Sequence, residues 1–185
     1  EKLDYLQELA KDYFVSIEYG IESCYDHTLE RINRGHTFES ARKAFKMGQG
    51  RGIHVGAHMI WGLPGESEQM MFDEIDLINE LRPDSIKFHQ LQVIKGTEME
   101  KEYFSNPEDF VVFSLDGYIE FIIKVLEKLD PKIMIERLSG EVPPRFLHSP
   151  PWDLLRYDRV LNKIESKMKD LDTWQGRMFK PGRNT

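Results

Sequence analysis

Cysteine is nearly missing from this sequence: Cys24 is the only one in 185 residues. A single thiol excludes an internal disulfide framework and any cysteine-rich metal centre built by this chain alone. Positive charge is also scarce, with 25 Lys and Arg against 32 Asp and Glu and a formal charge of −7. That balance argues against a body built to wrap nucleic acid, which needs clustered Lys and Arg to neutralise phosphates. The basic stretch "KIESKMK" reads as a solvated helix face. No apolar run is long enough to span a bilayer, and no signal-peptide pattern opens the chain, so the cytoplasm is the expected compartment. The chain starts inside a helical pattern, "EKLDYLQELAKDYF", without an initiator Met. We expect a piece of something longer.

What the sequence does contain is an alternation of strand and helix signals. Leu3, Leu6, Leu9 and Ala10 fall at helical spacing. "YFVSIEYGIE" then reads as a strand, and Asp26 as the N-cap of a short helix ending at Arg34-Gly35. Thr37 is positioned to cap a helix whose stripe is Phe38, Ala41, Ala44, Phe45 and Met47. "IHVGAHMIW" has the unbroken apolar character of a strand buried on both faces. Ser67 caps a helix carrying Met71, Phe72, Ile75, Ile78 and Leu81, and "SIKFHQLQVI" is a third strand. Such an order demands parallel pairing with long crossovers. Farther on, the stripe Leu115, Tyr118, Ile119, Ile122, Ile123, Leu126 and Leu129 marks a long helix. "KIMIERL" is a candidate short strand, "SGEVPPRFLHSPPW" a proline-dense loop, and a last helix runs through Leu154, Leu155, Val160, Leu161, Ile164, Met168 and Leu171. Three β/α units do not close an eight-stranded barrel. The expected fold class is α/β, an incomplete TIM-like (β/α) barrel of parallel strands with a helical C-terminal extension.

The stretch "HMIWGLPGE" places glycines at the end of a strand, the usual setting of a phosphate loop. Pro64 and Gly65 suit the second and third positions of a type II turn. Gly62 permits close approach of a ligand or of another backbone. Glu66, Ser67 and Glu68 at the following helix start would repel a phosphate, and neither a Lys-Ser/Thr pair nor G-x-G-x-x-G is present. The stretch is therefore either a plain strand-to-helix turn or the floor of a pocket for a neutral or cationic ligand.

Taken together, "IEYGIESCYDHTLERINRGHTFESARKAF", "GAHMIWGLPGE" and "SIKFHQLQVIKGT" resemble the radical S-adenosylmethionine (radical SAM) superfamily. The likeness is to the branch with oxygen-independent coproporphyrinogen oxidase and elongator-type enzymes, and above all to bacterial radical SAM "Fe-S oxidoreductases". It covers Tyr13 to about Thr97, and "IERLSGEVPP" resembles a later segment of that last subfamily. The resemblance implies that 1–97 is the C-terminal part of the β/α barrel with its first strands missing, and 98–185 a mostly helical extension. It also implies S-adenosylmethionine, a [4Fe-4S] cluster bound by a C-x-x-x-C-x-x-C loop, and a 5′-deoxyadenosyl radical that takes hydrogen from a substrate. The cluster loop is absent, so its cysteines are expected upstream and the piece alone is expected to be inactive. A reductant such as flavodoxin or ferredoxin is an implied partner, a membrane is not, and a nucleic-acid substrate is compatible but not indicated.

The same resemblance places cofactor contacts at Glu22, Arg34, His58, Gly62, Gly65 and Gln92. Glu22 would accept hydrogen bonds from ribose hydroxyls or an ammonium, or simply pair with a neighbouring arginine. The fork of Arg34 suits a carboxylate, or closes the helix end as a salt bridge. His58 is either a cofactor contact or a histidine satisfied within the core. His36 reads as a capping or core-edge residue. Of His89 and Gln90, alternation lets only one face the barrel interior. Gln92 and Val93 fall where the family rests the adenine on strand backbone. Cys24 is read as a packed residue rather than a nucleophile, because no base stands beside it. Arg137, Glu141 and Arg145 could reach a substrate or form solvent-facing ion pairs. Two rival readings remain: a cluster-free α/β module that binds ligands or partners, and a metal hydrolase using His36, His58, His89 and Glu22.

Overall fold

A computed structural model describes residues 1–149, 152 and 155–181. Helix α1 (Lys2–Leu9) leads into strand β1 (Ser16–Glu22), which is followed by α2 (Asp26–Arg31) and α3 (Phe38–Gly48). Strand β2 (His54–Trp61), helix α4 (Glu68–Leu81) and strand β3 (Ser85–Gln90) continue the alternation. Beyond these lie β4 (Val93–Ile94), α5 (Glu98–Ser105), α6 (Leu115–Lys128), β5 (Met134–Arg137), β6 (Leu147–Ser149) and α7 (Tyr157–Asp170).

Four strands form one parallel sheet in the order β1-β2-β3-β5. Alternation gives the sheet two unlike faces. On one, Ile21, Val55, Ala57, Met59, Trp61, Ile86 and Phe88 are buried against Phe45 of α3, Met71, Ile75 and Ile78 of α4, and Tyr118, Phe121 and Ile122 of α6. Trp61 stacks on Phe88 with centroids 5.3 Å apart and meets Phe121 edge-on at 5.5 Å. Each such large side chain contributes about 1.5–3 kcal/mol on burial. The other face is polar and carries Glu18, His54, His58, Ser85, Lys87, His89 and Glu136. This α/β sheet, flanked by helices, is the expected incomplete barrel.

The candidate strand in "KIMIERL" is present, and two other local expectations need correction. "KIMIERL" supplies a full member of the sheet: β5 pairs with β3 through Ser85–Met134 and Ile86–Ile135, so the fourth strand comes from beyond residue 97. "SIKFHQLQVI" is two strands, not one. The Leu91 N–H still reaches the Trp61 carbonyl at 2.7 Å. The β3–β5 ladder has already ended at Lys87–Arg137, so Val93 and Ile94 find an antiparallel partner in β6 instead. Asp26 is not an N-cap but the first residue of α2, and its Oδ1 accepts the Phe38 N–H at 2.7 Å. It thereby satisfies one of the free donors at the start of α3, where Thr37 accepts from the Ser40 N–H as anticipated.

The remaining helices follow the stripes read above. Ser67 caps α4 through the Met70 N–H, and α6 buries Tyr118, Ile119, Ile122, Ile123 and Leu126. Helix α7 packs Val160 and Ile164 into the core but runs only from Tyr157 to Asp170, so Leu155 precedes it and Leu171 is its C-cap, while Leu154 lies outside the described residues. Gly176 and Met178 donate their N–H groups to Leu126 and Glu127, tying the tail to α6.

Candidate functional site

The C-terminal ends of β1, β2, β3 and β5 form one rim, the edge where barrel enzymes build their sites. Glu22 is the last residue of β1, and a bulge between Gly20 and Glu22 shifts it relative to β2. Its φ is +66°, a left-handed conformation that side-chain-bearing residues hold only when the surroundings enforce it. The twist folds its carboxylate back over Gly20, on the polar face.

Arg34 meets it there. Arg34 Nη2 donates to the Gly20 carbonyl at 2.9 Å and lies 3.5 Å from Glu22 Oε1. A Cβ on Gly20 would sit 2.4 Å from Glu22 Oε1 and 2.5 Å from Arg34 Nη2, so only glycine leaves room for the pair. The Glu22 side chain is 15% exposed, and burial pushes its pKa up against the opposing pull of Arg34. Both partners stay incomplete: Glu22 Oε2 and Arg34 Nε are buried without a hydrogen-bond partner. A buried acceptor and a buried donor thus lie side by side unused, and each unmet group costs about 1–3 kcal/mol.

His58 pairs across the sheet with Gly20 on one side and Lys87 on the other. Its ring lies 4.7 Å from that of His89. Alternation puts His89 on the polar face and turns Gln90 away, where Gln90 exchanges two hydrogen bonds with the Gly140 backbone at 2.8 and 3.2 Å. Burial lowers the pKa of both histidines, with Lys87 assisting at His58. At His89, burial and then the neighbouring His58 bring it to about 4. Both rings are therefore neutral at pH 7, each offering one donor and one acceptor, and His89 Nε2 is buried without a partner.

Lower on the same face the groups satisfy one another. Lys87 Nζ lies 2.5 Å from Glu18 and 3.3 Å from Glu136. Ser85 Oγ donates to Glu136, and His54 Nε2 is 2.8 Å from Ser85 Oγ. This closed network braces the base of the sheet.

Leu63–Glu66 forms a type II turn, with Gly62 just ahead of it. Gly65 has φ +87°, and the Glu66 N–H bonds back to the Leu63 carbonyl at 3.2 Å. The chain itself occupies the open sides of both glycines. A Cβ on Gly62 would lie 2.7 Å from the Val111 carbonyl oxygen, and one on Gly65 would lie 3.1 Å from Arg31 Nη1. The Gly65 N–H donates to the Asp109 carbonyl, and Arg31 clamps Glu102 and Asp109 at 2.5 Å each. Of the two approaches that Gly62 permits, that of another backbone is the one present.

Gln92 sits just past β3, on a cavity of 740 Å³ that also takes in Arg137, Glu141, His148 and Trp152. Val93 is buried in the β4–β6 ladder. Arg137 lies over the Tyr157 ring at 5.7 Å, and Arg145 turns to Phe146 at 4.6 Å. Among the described residues no three His, Cys, Asp or Glu side chains converge on a metal position, so His36, His58, His89 and Glu22 are not gathered as a hydrolase would need them.

Residues 1–78 match the radical SAM superfamily domain, and residues 83–170 match the radical SAM C-terminal domain. The chain belongs to the radical SAM superfamily. Protein MJ0486 of Methanocaldococcus jannaschii is 36% identical over 181 residues, covering 97% of this chain and 55% of that protein. YtqA of Bacillus subtilis is 30% identical over 177 residues, covering 96% of this chain and 54% of the relative. The radical SAM chain thus spans about half the length of the curated relatives it matches. The solved structure of archaeal Methanocaldococcus infernus Elp3 with an N-terminal deletion superposes with a TM-score of 0.75 at 23% identity, covering 93% of this chain and 40% of that one. That likeness is one of fold.

Radical SAM proteins as a family use S-adenosylmethionine and a [4Fe-4S] cluster. The cluster does not fit the residues present here. Cys24 is buried, and burial, followed by the charges of Glu74 and Glu66, pushes its thiol pKa up and away from the thiolate a cluster needs. Those two carboxyls are what sequence reasoning missed. Glu66 was read only as a helix-start acid that would repel a phosphate, yet it is 2% exposed, and Glu74 is 0% exposed. Glu74 carried a signal: it falls inside the Met71, Ile75, Ile78 stripe, where an acid is out of place.

Proposed function

We propose that this chain is the S-adenosylmethionine-holding side of a radical SAM enzyme whose cluster is bound by other residues of the whole protein. The observation that carries the reading is the half-satisfied Glu22–Arg34 pair on the rim. The methionine end of S-adenosylmethionine bears an ammonium and a carboxylate on one carbon. The ammonium supplies the donor that Glu22 Oε2 lacks, and the carboxylate supplies the acceptor that Arg34 Nε lacks. Such charge-assisted bonds in a partly buried setting are the strong ones.

His58, neutral at pH 7, adds a polar contact beside the pair without adding charge next to a sulfonium. Gln92 and the backbone after β3 offer peptide groups to the adenine. When bound beside a reduced cluster, the cofactor supplies one-electron chemistry that no side chain can provide. The chain's own part is to bind, orient and keep water away from the reacting carbon. A flavodoxin- or ferredoxin-like protein is the proposed electron donor. The 740 Å³ cavity past β3 and β5 is the proposed place for substrate.

The test is anaerobic reconstitution of the full-length protein with iron and sulfide, followed by reduction in the presence of S-adenosylmethionine. Release of 5′-deoxyadenosine is expected from the natural sequence. It is expected to fall sharply in Arg34→Ala while the cluster absorbance is retained. A protein that holds the cluster yet never releases the nucleoside would sink the assignment and favour a cluster-free ligand-binding role.

A further inference from the structure

Behind β1, out of reach of the polar face, Ser23, Thr28, Glu66 and Glu74 form a polar cluster inside the apolar core. They are 0%, 0%, 2% and 0% exposed. Ser23 Oγ lies 2.5 Å from Glu66 Oε1 and 3.0 Å from Glu74 Oε1, and it accepts the Tyr25 N–H at 3.0 Å. Glu74 Oε1 also accepts the Cys24 N–H at 2.5 Å.

These contacts balance only if the cluster holds a proton. A serine hydroxyl has one hydrogen to give and two lone pairs to receive. One lone pair takes the Tyr25 N–H, and the single hydrogen can serve one carboxyl. The other carboxyl must itself donate, so the cluster holds a proton. One consistent chain runs from a protonated Glu66 to Ser23 Oγ and on to Glu74 Oε1, and the reverse, from a protonated Glu74 through Ser23 to Glu66, satisfies the same contacts, with the Cys24 N–H on Glu74 Oε1 in both. Burial raises the pKa of both acids, and for Glu74 the charge of Glu66 adds to it; the proton belongs to the pair rather than to either residue.

We infer that Glu66 and Glu74 share one proton and act as a positioning pair that locks Ser23 and Cys24, and so holds Glu22 in its left-handed conformation on the rim. Glu22 immediately precedes the two residues that the pair grips, and its φ of +66° is the kind of backbone state that neighbours must enforce. The importance of this lock for ligand binding rests on the proposed role of Glu22; the lock itself does not. Cys24 and Tyr25 bond directly into the pair's network, and beyond the pair the charge of Arg42 on α3 acts on Cys24 and that of Asp73 on Tyr25.

A carboxyl pair that keeps a proton above its ordinary value of 4.5 binds more protons folded than unfolded, so its stabilising share shrinks as pH rises. Thermal unfolding of the 185-residue chain is measured from about pH 5 to pH 9, with infrared detection of the protonated carboxyl. Glu66→Gln supplies an amide N–H donor to Ser23 in place of the shared proton. It is expected to keep the chain folded, flatten the decline with pH and abolish the protonated-carboxyl band. Glu74→Leu strands the Cys24 N–H and the Ser23 hydroxyl. It is expected to lower Tm by roughly 5–10 °C and to erase the short intraresidue amide–Hα distance that marks positive φ at Glu22. If Glu74→Leu does not fold, the Glu66→Gln profile and the infrared band decide alone. The inference is overturned if both carboxyls are ionised at neutral pH, or if Glu66→Gln keeps the natural pH profile. Unchanged S-adenosylmethionine binding by reconstituted full-length Glu74→Leu protein, with the positive φ at Glu22 lost, would instead count only against the assigned role of Glu22.

Discussion

Replacing His89 by glutamine should remove a specific loss of stability in mild acid. His89 lies against His58 on the polar face, and burial followed by the neighbouring imidazole lowers its pKa from 6.5 to about 4. Unfolded, the imidazole takes up a proton near 6.5, so between those two values the unfolded chain binds more protons than the folded one. Stability then rises with pH across that window, is fully present above it, and is lost as pH falls. Working the linkage at pH 5 gives a loss of about 2 kcal/mol from this one group. For a chain of this length that corresponds to roughly 4–8 °C in Tm. The assay compares denaturant unfolding of the natural chain and His89→Gln at pH 8 and pH 5, with the imidazole titrated by NMR. The variant should lose less than the natural chain by about that amount. Equal losses, or an NMR pKa for His89 at or above 6.5, would show that the imidazole is not held neutral against His58.

Other expectations follow from close contacts. Gly20→Ala has no positive φ to violate, but its Cβ would displace the Glu22 carboxylate and the Arg34 guanidinium. It should leave Tm within a few degrees while weakening S-adenosylmethionine binding, measured by calorimetry on the reconstituted protein. Gly62→Ala meets the Val111 carbonyl oxygen at a φ of +90°, and should cost about 2–4 kcal/mol by chemical denaturation. Tyr118→Phe removes a buried hydroxyl that donates to the Leu138 carbonyl at 2.6 Å. It should cost about 1–2 kcal/mol with the fold intact by circular dichroism.

The parts of the fold that could be read directly were those whose side-chain period is strong. β1, β2 and β3 alternate or run apolar, α4 and α6 carry long stripes, and Pro64-Gly65 has the chemistry of one turn type. β5 escaped full weight because it is four residues long with Met134 60% exposed, so its place in the sheet depends on β3 rather than on its own pattern. At the site, Glu22 and Arg34 were singled out separately. Their meeting depends on the bulge at Gly20 and on a left-handed glutamate, and neither leaves a mark in local sequence, since glycine or asparagine is the usual occupant of such a φ. Glu74 was legible in principle, because an acid within an apolar stripe must be paired or protonated. Counting apolar spacing alone passes over it.

The most direct measurement is the affinity of S-adenosylmethionine for the reconstituted full-length protein, compared between the natural sequence and Arg34→Ala at the same iron–sulfur loading with the cluster oxidised, so that the cofactor is bound but not cleaved. Removing one charged hydrogen-bonding partner should weaken binding by about 10- to 100-fold, with the cluster spectrum unchanged. Equal affinity in the two proteins would mean that the Glu22–Arg34 pair only closes on itself and that the cofactor is held elsewhere.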